Sequence, residues 1–189
     1  MRLLSVVLVA VALGLWSAFG FAQASSVPAS IQAELLAKLE GYDKGFPGRA
    51  GELANVALLV KTGSAKSELS AAEMKLALSR IERVGGLPHR ETVIPFSTAA
   101  ALAQKVKEGR FAVVYVTPGL DPEIVKIREA LTNMDVLTLA GTPTYVPEGI
   151  VLGFEIESGK PKILINLEQA KRQSVKFPAD LIRLMRVYR

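Results

Sequence analysis

The chain of 189 residues has a formal net charge of +5 at pH 7, one histidine and no cysteine. The lack of cysteine excludes thiol catalysis, cysteine-based zinc sites and disulfide bonds. The modest positive charge suits an acidic protein surface or an anionic ligand, whereas nucleic-acid binding is not expected because the sequence contains no recognisable nucleic-acid module.

The amino terminus has the features of a secretory signal peptide. Arg2 precedes an almost wholly apolar run that ends in Ala22-Gln23-Ala24. This pattern predicts a cleavable signal peptide over residues 1–24, cut after Ala24. An uncleaved anchor is the alternative, since an apolar run of about 19 residues can span a bilayer. We therefore predict an exported, periplasmic protein with one domain over residues 25–189, a length sufficient for its own core.

The first half of the mature chain alternates helical and strand patterns. A helix is predicted over residues 30–40, capped by its first serine, and a glycine-rich loop over residues 41–51. The continuous apolar run at residues 54–62 predicts a strand buried on both faces. A second helix is predicted from Ser70, with Glu73 completing a capping box, and it stops at the glycine pair that follows.

Three more strands are predicted, at residues 91–96, 111–117 and 135–140. The helix between the first two is capped by Ser97 or Thr98. The helix between the last two is capped by Asp121, with a proline in its first position.

The last part of the chain has a different pattern. Two strands flank the turn at residues 157–160, which predicts a β-hairpin. The second strand ends at residues 163–167, where Asn166 is expected to fix the turn into a helix. A Phe-Pro break and a second basic amphipathic helix, reaching Val187, then close the chain.

Short helices between buried strands indicate a parallel sheet with right-handed crossovers and helices on both faces. The hairpin adds an antiparallel element. We therefore predict an α/β fold, a three-layer α/β sandwich with a mostly parallel mixed sheet and a C-terminal β-hairpin.

Small polar residues follow three of the predicted strands. At the carboxyl end of each strand these are Thr62 and Ser64 for the first, Thr117 and Gly119 for the strand at 111–117, and Thr142 for the strand at 135–140. Ligands of open α/β sheets bind at the carboxyl ends of the strands, beside helix N-termini. These five residues are therefore predicted to form a crevice for a small polar or anionic ligand; the alternative is that they only form tight turns.

No catalytic set is predicted. His89 precedes the strand at 91–96, at the amino ends of the strands and on the rim opposite the crevice, where a surface-loop histidine is expected. The chain has no His or Cys cluster and no acid-rich loop for a metal, and no G-x-G-x-x-G follows the first strand. We predict a protein that is not an enzyme and that uses no metal and no cofactor.

The carboxyl-terminal helix carries basic residues, among them Arg183 and Arg186. These two are predicted to contact an acidic partner or the membrane surface. The alternative is a solvated basic rim on a helix that packs on the sheet.

The stretch Val146–Val187 resembles the end of the YfiR/HmsC family of periplasmic proteins. The matching positions are Ile165-Asn166-Leu167, Ala170, Phe177, Leu181-Ile182 and Leu184, and Val136–Pro143 is similar to the family's strand and turn before a variable loop. The resemblance implies a periplasmic regulatory or accessory protein.

The best-known member type represses an inner-membrane diguanylate cyclase by holding its periplasmic sensor region, and its release raises cyclic-di-GMP and promotes biofilm formation. The resemblance therefore implies a partner that is an inner-membrane signalling protein, of the diguanylate cyclase or sensor kinase type. A small polar or anionic ligand and a second copy of the chain are further partners to consider. The cysteine-based redox control of the regulatory type cannot operate here, since the chain has no cysteine. The alternative function is a solute-binding accessory protein of a transport system.

Overall fold

A computed structural model describes residues 27–189, so the signal peptide predicted over residues 1–24 lies outside the described residues. The helices are α1 (Ala29–Glu40), α2 (Phe46–Ala50), α3 (Ala65–Leu78), α4 (Ala99–Glu108), α5 (Ile124–Leu131), α6 (Leu167–Arg172) and α7 (Ala179–Ile182). The strands are β1 (Ala54–Val60), β2 (His89–Pro95), β3 (Phe111–Val116), β4 (Leu137–Ala140), β5 (Leu152–Glu157), β6 (Lys160–Asn166) and β7 (Arg186–Tyr188). Short 3-10 turns occupy residues 121–123 and 143–145.

All the strands belong to one mixed sheet in the order β2-β1-β3-β4-β5-β6-β7. The strands β1 to β5 run parallel to one another. The predicted hairpin is confirmed, since β5 and β6 pair antiparallel with Glu157 opposite Lys160. The last strand, β7, pairs parallel with β6.

The core lies on both faces of this sheet, as the side-chain alternation of β1 shows. Val56 and Leu58 pack with α1, α3 and the carboxyl-terminal segment, while Ala57 and Leu59 pack with α4 and α5. Because successive side chains of a strand point to opposite faces, a strand covered on both sides reads as a continuous apolar run. The predicted three-layer α/β sandwich is confirmed.

Several predicted helix starts are wrong. The helix α3 begins at Ala65, ahead of Ser70, whose hydroxyl bonds the Tyr115 hydroxyl at 3.0 Å and does not form a cap. Asp121 lies in a 3-10 turn ahead of α5, and its carboxylate accepts a hydrogen bond from the Tyr145 hydroxyl. Ser30 lies inside α1, which Pro28 precedes. The cap at Thr98 is confirmed, because its Oγ1 accepts from the Ala101 N–H at 3.1 Å.

Two segments have a different secondary structure from the predicted one. The predicted loop at residues 41–51 contains the helix α2. The last helix ends at Ile182, and the strand β7 begins four residues later, with Arg186 in register with Leu164 of β6. This strand satisfies backbone groups along β6 that an additional helical turn would leave unpaired.

Within residues 27–189, each helix is too short or too polar to traverse the apolar core of a membrane.

Candidate functional site

The structure brings the predicted crevice residues to one edge of the sheet. The strands β1 and β3 are neighbours, but the helices that follow them, α3 and α5, cover opposite faces. The chain connections therefore change direction between β1 and β3, and the carboxyl edge at such a point is the usual ligand position in open α/β folds. A Cβ on Gly119 would lie 3.0 Å from the Ser64 hydroxyl oxygen, so the two loops meet there.

The loop after β4 completes this edge. A Cβ on Gly141 would lie 2.7 Å from Pro118 Cδ, so the segment that leads to Thr142 lies against the loop after β3. Thr62 is exposed, whereas Ser64 and Thr142 are half-buried. Exposed and half-buried hydroxyls from two loops therefore lie at the edge where the crevice is predicted.

Thr117, at the end of β3 on the same edge, is fully buried. Its hydroxyl donates to the Leu59 carbonyl at 2.7 Å, so it accepts the hydrogen bond from the Ser67 hydroxyl at 2.6 Å. The Ser67 oxygen in turn accepts from the Lys61 N–H at 2.8 Å. These hydrogen bonds connect α3 to β1 and β3. The single hydroxyl hydrogen of Thr117 is already donated to the Leu59 carbonyl.

Tyrosine hydroxyls form a second part of this edge that the sequence reasoning missed. Tyr115 bonds Ser70 of α3, and burial raises the pKa of the Tyr115 hydroxyl to about 12. The Tyr145 hydroxyl accepts from the Leu120 N–H at 3.1 Å and donates to Asp121 at 3.0 Å. One sequence indication was present: Tyr115 and Thr117 are two residues apart in one strand and so share a face.

The amino edge of the sheet carries a cleft of ≈ 940 Å³ between α2, α4 and the start of β3. Its apolar wall includes Phe111 and Met134, and the buried guanidinium of Arg49 lies in its polar wall. Arg49 bonds the Asp135 carboxylate at 3.2 Å. A second cleft of ≈ 530 Å³, lined mainly by charged residues that include Arg128 and Arg172, lies beside α5 and α6.

His89 begins β2, at the amino edge as predicted, but it is not a surface-loop residue. Its ring is 6% exposed. Nδ1 contacts the Glu91 carboxylate, and Nε2 lies 2.8 Å from the Ile81 carbonyl oxygen. Both ring nitrogens thus face protein oxygen atoms, and the ring connects β2 to the end of α3.

The two predicted partner-binding arginines lie in different settings. The Arg183 side chain is 79% exposed and pairs with Asp180 at 3.2 Å. Arg186 lies in β7, where its guanidinium contacts Glu155 and Glu157 of β5 across the intervening strand. Arg183 is therefore exposed for contact with another molecule, while Arg186 also links strands within the sheet.

Across residues 27–189, no group of three or more His, Cys, Asp or Glu side chains is arranged to hold a metal ion.

Comparison with known proteins gives a family and a fold. A family model described as YfiR/HmsC-like matches residues 49–186, from α2 to the start of β7. No curated protein matches the sequence significantly.

Three solved structures are similar in fold. One is the ABC domain from Streptococcus pneumonia in complex with L-Trp, with 12% identity and a TM-score of 0.59, covering 86% of this chain and 62% of that one. A conserved domain protein from Vibrio cholerae has 13% identity and a TM-score of 0.61, with coverages of 87% and 62%. A ligand-free, open substrate binding protein with adhesive properties from Clostridium difficile has 15% identity and a TM-score of 0.61, with coverages of 87% and 61%.

The chain thus spans less than two thirds of the length of these proteins. At such low identities the likeness concerns the fold alone.

Proposed function

Because the chain belongs to the YfiR/HmsC-like family, whose role is periplasmic and regulatory, we propose that it is a non-enzymatic module that docks on a membrane-anchored signalling protein. The partner is of the diguanylate cyclase or sensor kinase type. The observation that carries the proposal is the family match over residues 49–186, which includes β1 to β6 and the first residue of β7.

The basic carboxyl-terminal rim is the proposed docking surface. Arg183 is exposed, and the adjacent Leu184 is 67% exposed, so a cation and a large apolar side chain are presented together. An acidic, partly apolar surface on the periplasmic region of the partner complements this pair, since charge complementarity increases association rates and favours one partner over others.

The carboxyl-edge crevice is proposed to bind a small polar or anionic ligand that biases docking. In this proposal Thr62, Ser64 and Thr142 contact the ligand, and it is supported by the contact between the loops at Ser64 and Gly119 and by the hydrogen bond that holds Thr117 to β1. A ligand changes docking only if it binds the free and the docked states with different affinities.

The docking proposal is tested by capture from solubilised membranes. The mature chain, residues 25–189, should recover an inner-membrane signalling protein, and Arg183→Glu should reduce this recovery strongly. Lys105→Glu is the matched control, because it reverses one exposed positive charge on α4, on the other side of the sheet. Capture that yields no sensor or cyclase with the wild-type chain would contradict the proposal.

A solute-binding accessory protein of a transport system is the second candidate. It is supported by the fold likeness to a substrate binding protein and to a domain in complex with L-Trp. A ligand that binds the folded state raises the melting temperature in a concentration-dependent way. A screen of amino acids, L-tryptophan included, should then raise the melting temperature of wild type but not of Ser64→Val, without any membrane partner. A screen in which no solute shifts the wild-type transition would count against this candidate.

A further inference from the structure

The helix α3 exposes two leucines on the side that faces away from the sheet. Its core face consists of Ser67, Ala71, Met74 and Leu78, all buried. Leu69 and Leu76 lie on the opposite side and are 60% and 57% exposed. Since they are seven residues apart, two helical turns separate them and they point in the same direction.

These leucines belong to a regular apolar pattern. Ala65, Leu69, Ala72 and Leu76 follow one another at intervals of four, three and four residues, and all four are exposed. We call this set the outer stripe. The alternation of three and four is the spacing of the seam residues of a coiled coil, where two helices pack side by side. The outer stripe is therefore shaped for another helix.

Charged residues flank the outer stripe in a pattern that selects the partner. Lys66 and Glu73 lie along one side of it, and Glu68 and Lys75 along the other, all of them exposed. Each side thus carries one positive and one negative charge, spaced by seven residues. Flanking residues of a coiled coil form interhelical ion pairs that determine which partner and which orientation is preferred.

A parallel arrangement of two α3 helices is unfavourable. The flanking positions that meet in a parallel pair are five residues apart in the sequence, so Glu68 would face Glu73 of the second copy. Like charges that face each other destabilise the pairing. The outer stripe therefore does not suit a parallel dimer.

An antiparallel arrangement reverses this result. With Leu69 facing Ala72 of the second copy, Leu76 faces Ala65 of the second copy. On the flanks, Lys66 then meets Glu73 of the second copy, and Glu68 meets Lys75 of the second copy. Each of these contacts occurs twice because of the two-fold symmetry. We propose that α3 packs antiparallel against α3 of a second copy, through the outer stripe and these four ion pairs.

The packing in such a dimer is close but small in extent. A leucine opposite an alanine in every layer lets the helix axes approach and fills the space between them. The helix has 14 residues, a length of about 21 Å. It therefore covers less than the roughly 800 Å² per partner of a standard interface. The dimer is accordingly concentration-dependent, and it does not rely on the proposed docking function or on the crevice.

Sedimentation velocity on the mature chain over a range of concentrations tests the interface. Wild type should shift from monomer to dimer as the concentration rises, and Leu69→Glu/Leu76→Glu should remain monomeric. Val125→Glu is the control, because Val125 is 47% exposed on α5, away from the outer stripe, and it should dimerise like wild type. Circular dichroism melting of each variant checks that the monomer remains folded.

Charge reversal tests the orientation and the register. Lys66→Glu alone and Glu73→Lys alone each convert two attractive contacts into repulsive ones and should raise the dissociation constant roughly tenfold. The double variant Lys66→Glu/Glu73→Lys should recover dimerisation, and a mixture of the two single variants should form the heterodimer in preference to either homodimer.

If the wild-type chain stays monomeric at every concentration, the proposal is overturned. The outer stripe would then be a contact surface for a helix of another protein. A dimer that persists in Leu69→Glu/Leu76→Glu would overturn it too, because the contact would then lie elsewhere. A double charge variant no better than the single ones would rule out the antiparallel register.

Discussion

The Arg49 guanidinium bonds the Asp43 carboxylate inside the protein, where both side chains are almost completely removed from solvent. The same guanidinium bonds Asp135, two residues ahead of β4, and lies 3.7 Å from Glu40 at the end of α1. Asp43 also accepts hydrogen bonds from the Lys176 N–H at 2.7 Å and the Gly45 N–H at 2.9 Å. One buried ion pair therefore connects α1, α2, β4 and the segment ahead of α7.

Removing the cation from this pair should destabilise the fold strongly. Arg49→Met leaves the Asp43 carboxylate buried without its counter-ion, which costs about 3–5 kcal/mol of the free energy of unfolding. The double variant Arg49→Met/Asp43→Asn should lose less free energy of unfolding than the two single variants lose together, because the two residues act as a unit. Urea denaturation measures these differences. The control is Arg90→Met, which removes an exposed arginine of β2. An equal loss of unfolding free energy in Arg49→Met and Arg90→Met would contradict the prediction.

The same cluster should make stability depend on pH through Glu40. Burial raises the pKa of this carboxyl from 4.5 to about 8, with a counteracting effect of the Arg49 charge. The folded state therefore binds the Glu40 proton more tightly than the unfolded state does. The stabilisation is complete below pH 4.5, falls as the pH rises from about 4.5 to about 8, and is lost above that range.

Glu40→Gln removes this titration and should flatten the pH profile. The loss in wild type amounts to at most about 1.4 kcal/mol for each pH unit in this interval, so the variant should be the more stable protein at pH 8. Urea denaturation at a series of pH values compares the two. Glu34→Gln, an exposed change in the same helix, should keep the wild-type slope. A Glu40→Gln profile parallel to that of wild type would show that Glu40 does not titrate in this range.

The sheet could be predicted wherever a strand is covered on both faces. The apolar runs of β1 and β3 need no tertiary information, because every residue in them is in contact with one layer or the other. The strand β7 could not be predicted in this way. Leu181, Ile182 and Met185 have helical spacing, and only the free edge of β6, a contact outside the local sequence, turns the end of the chain into a strand.

The helix α2 was missed for a related reason. Gly45, Pro47 and Gly48 are typical of loops, and the short helix is held by the bonds that Arg49 makes to Asp43 and Asp135. Asp135 is far from Arg49 in the sequence, so no local sequence pattern predicts this contact.

The sheet edge that carries the predicted crevice residues could be predicted better than the contacts that these residues make. Turn residues after parallel strands fix the edge at which Ser64 and Gly119 meet. The bond from Ser67 to Thr117 could not be anticipated, because the start of α3 was placed after Ser67 and the serine was assigned to a loop. The direction of a side chain follows from the helix or strand that carries it. When a helix start is predicted too late, the directions of the side chains in its first turn are therefore not predicted.

The expectation that Asn166 fixes the turn after β6 leads to a third prediction. Its carbonyl oxygen accepts from the Gln169 N–H at 3.0 Å, which caps α6, and its amide donates to the Val146 carbonyl at 3.0 Å. Asn166→Ala removes both bonds and should cost about 2–4 kcal/mol. Asn166→Ser retains an acceptor for the cap and should lose about half as much. Thermal and urea denaturation measure the stability of both variants. An unchanged melting temperature for Asn166→Ala would contradict the prediction.

The two adjacent glycines after α3 should differ sharply in their tolerance of a side chain. Gly85 has φ +57 and Gly86 has φ +85, so alanine is strained at both positions, by about 1 kcal/mol. At Gly85 alone, the new Cβ would come within 2.6 Å of Phe46 Cδ1 and 3.0 Å of Glu40 Cβ, both in the core. At Gly86, apart from the glycine itself and its two chain neighbours, no residue of the described range 27–189 has a heavy atom within 4 Å of the new Cβ.

Gly85→Ala should therefore cost about 1–3 kcal/mol more than Gly86→Ala, the range of an overpacked core. Gly86→Ala is a closely matched control, because both substitutions restrict the unfolded chain equally and both require a positive φ. Urea denaturation of the two variants gives the difference directly. If Phe46 and the end of α1 can move aside without cost, the two midpoints will coincide; if they are as tightly packed as the structure shows, Gly85→Ala will unfold at clearly lower urea concentration.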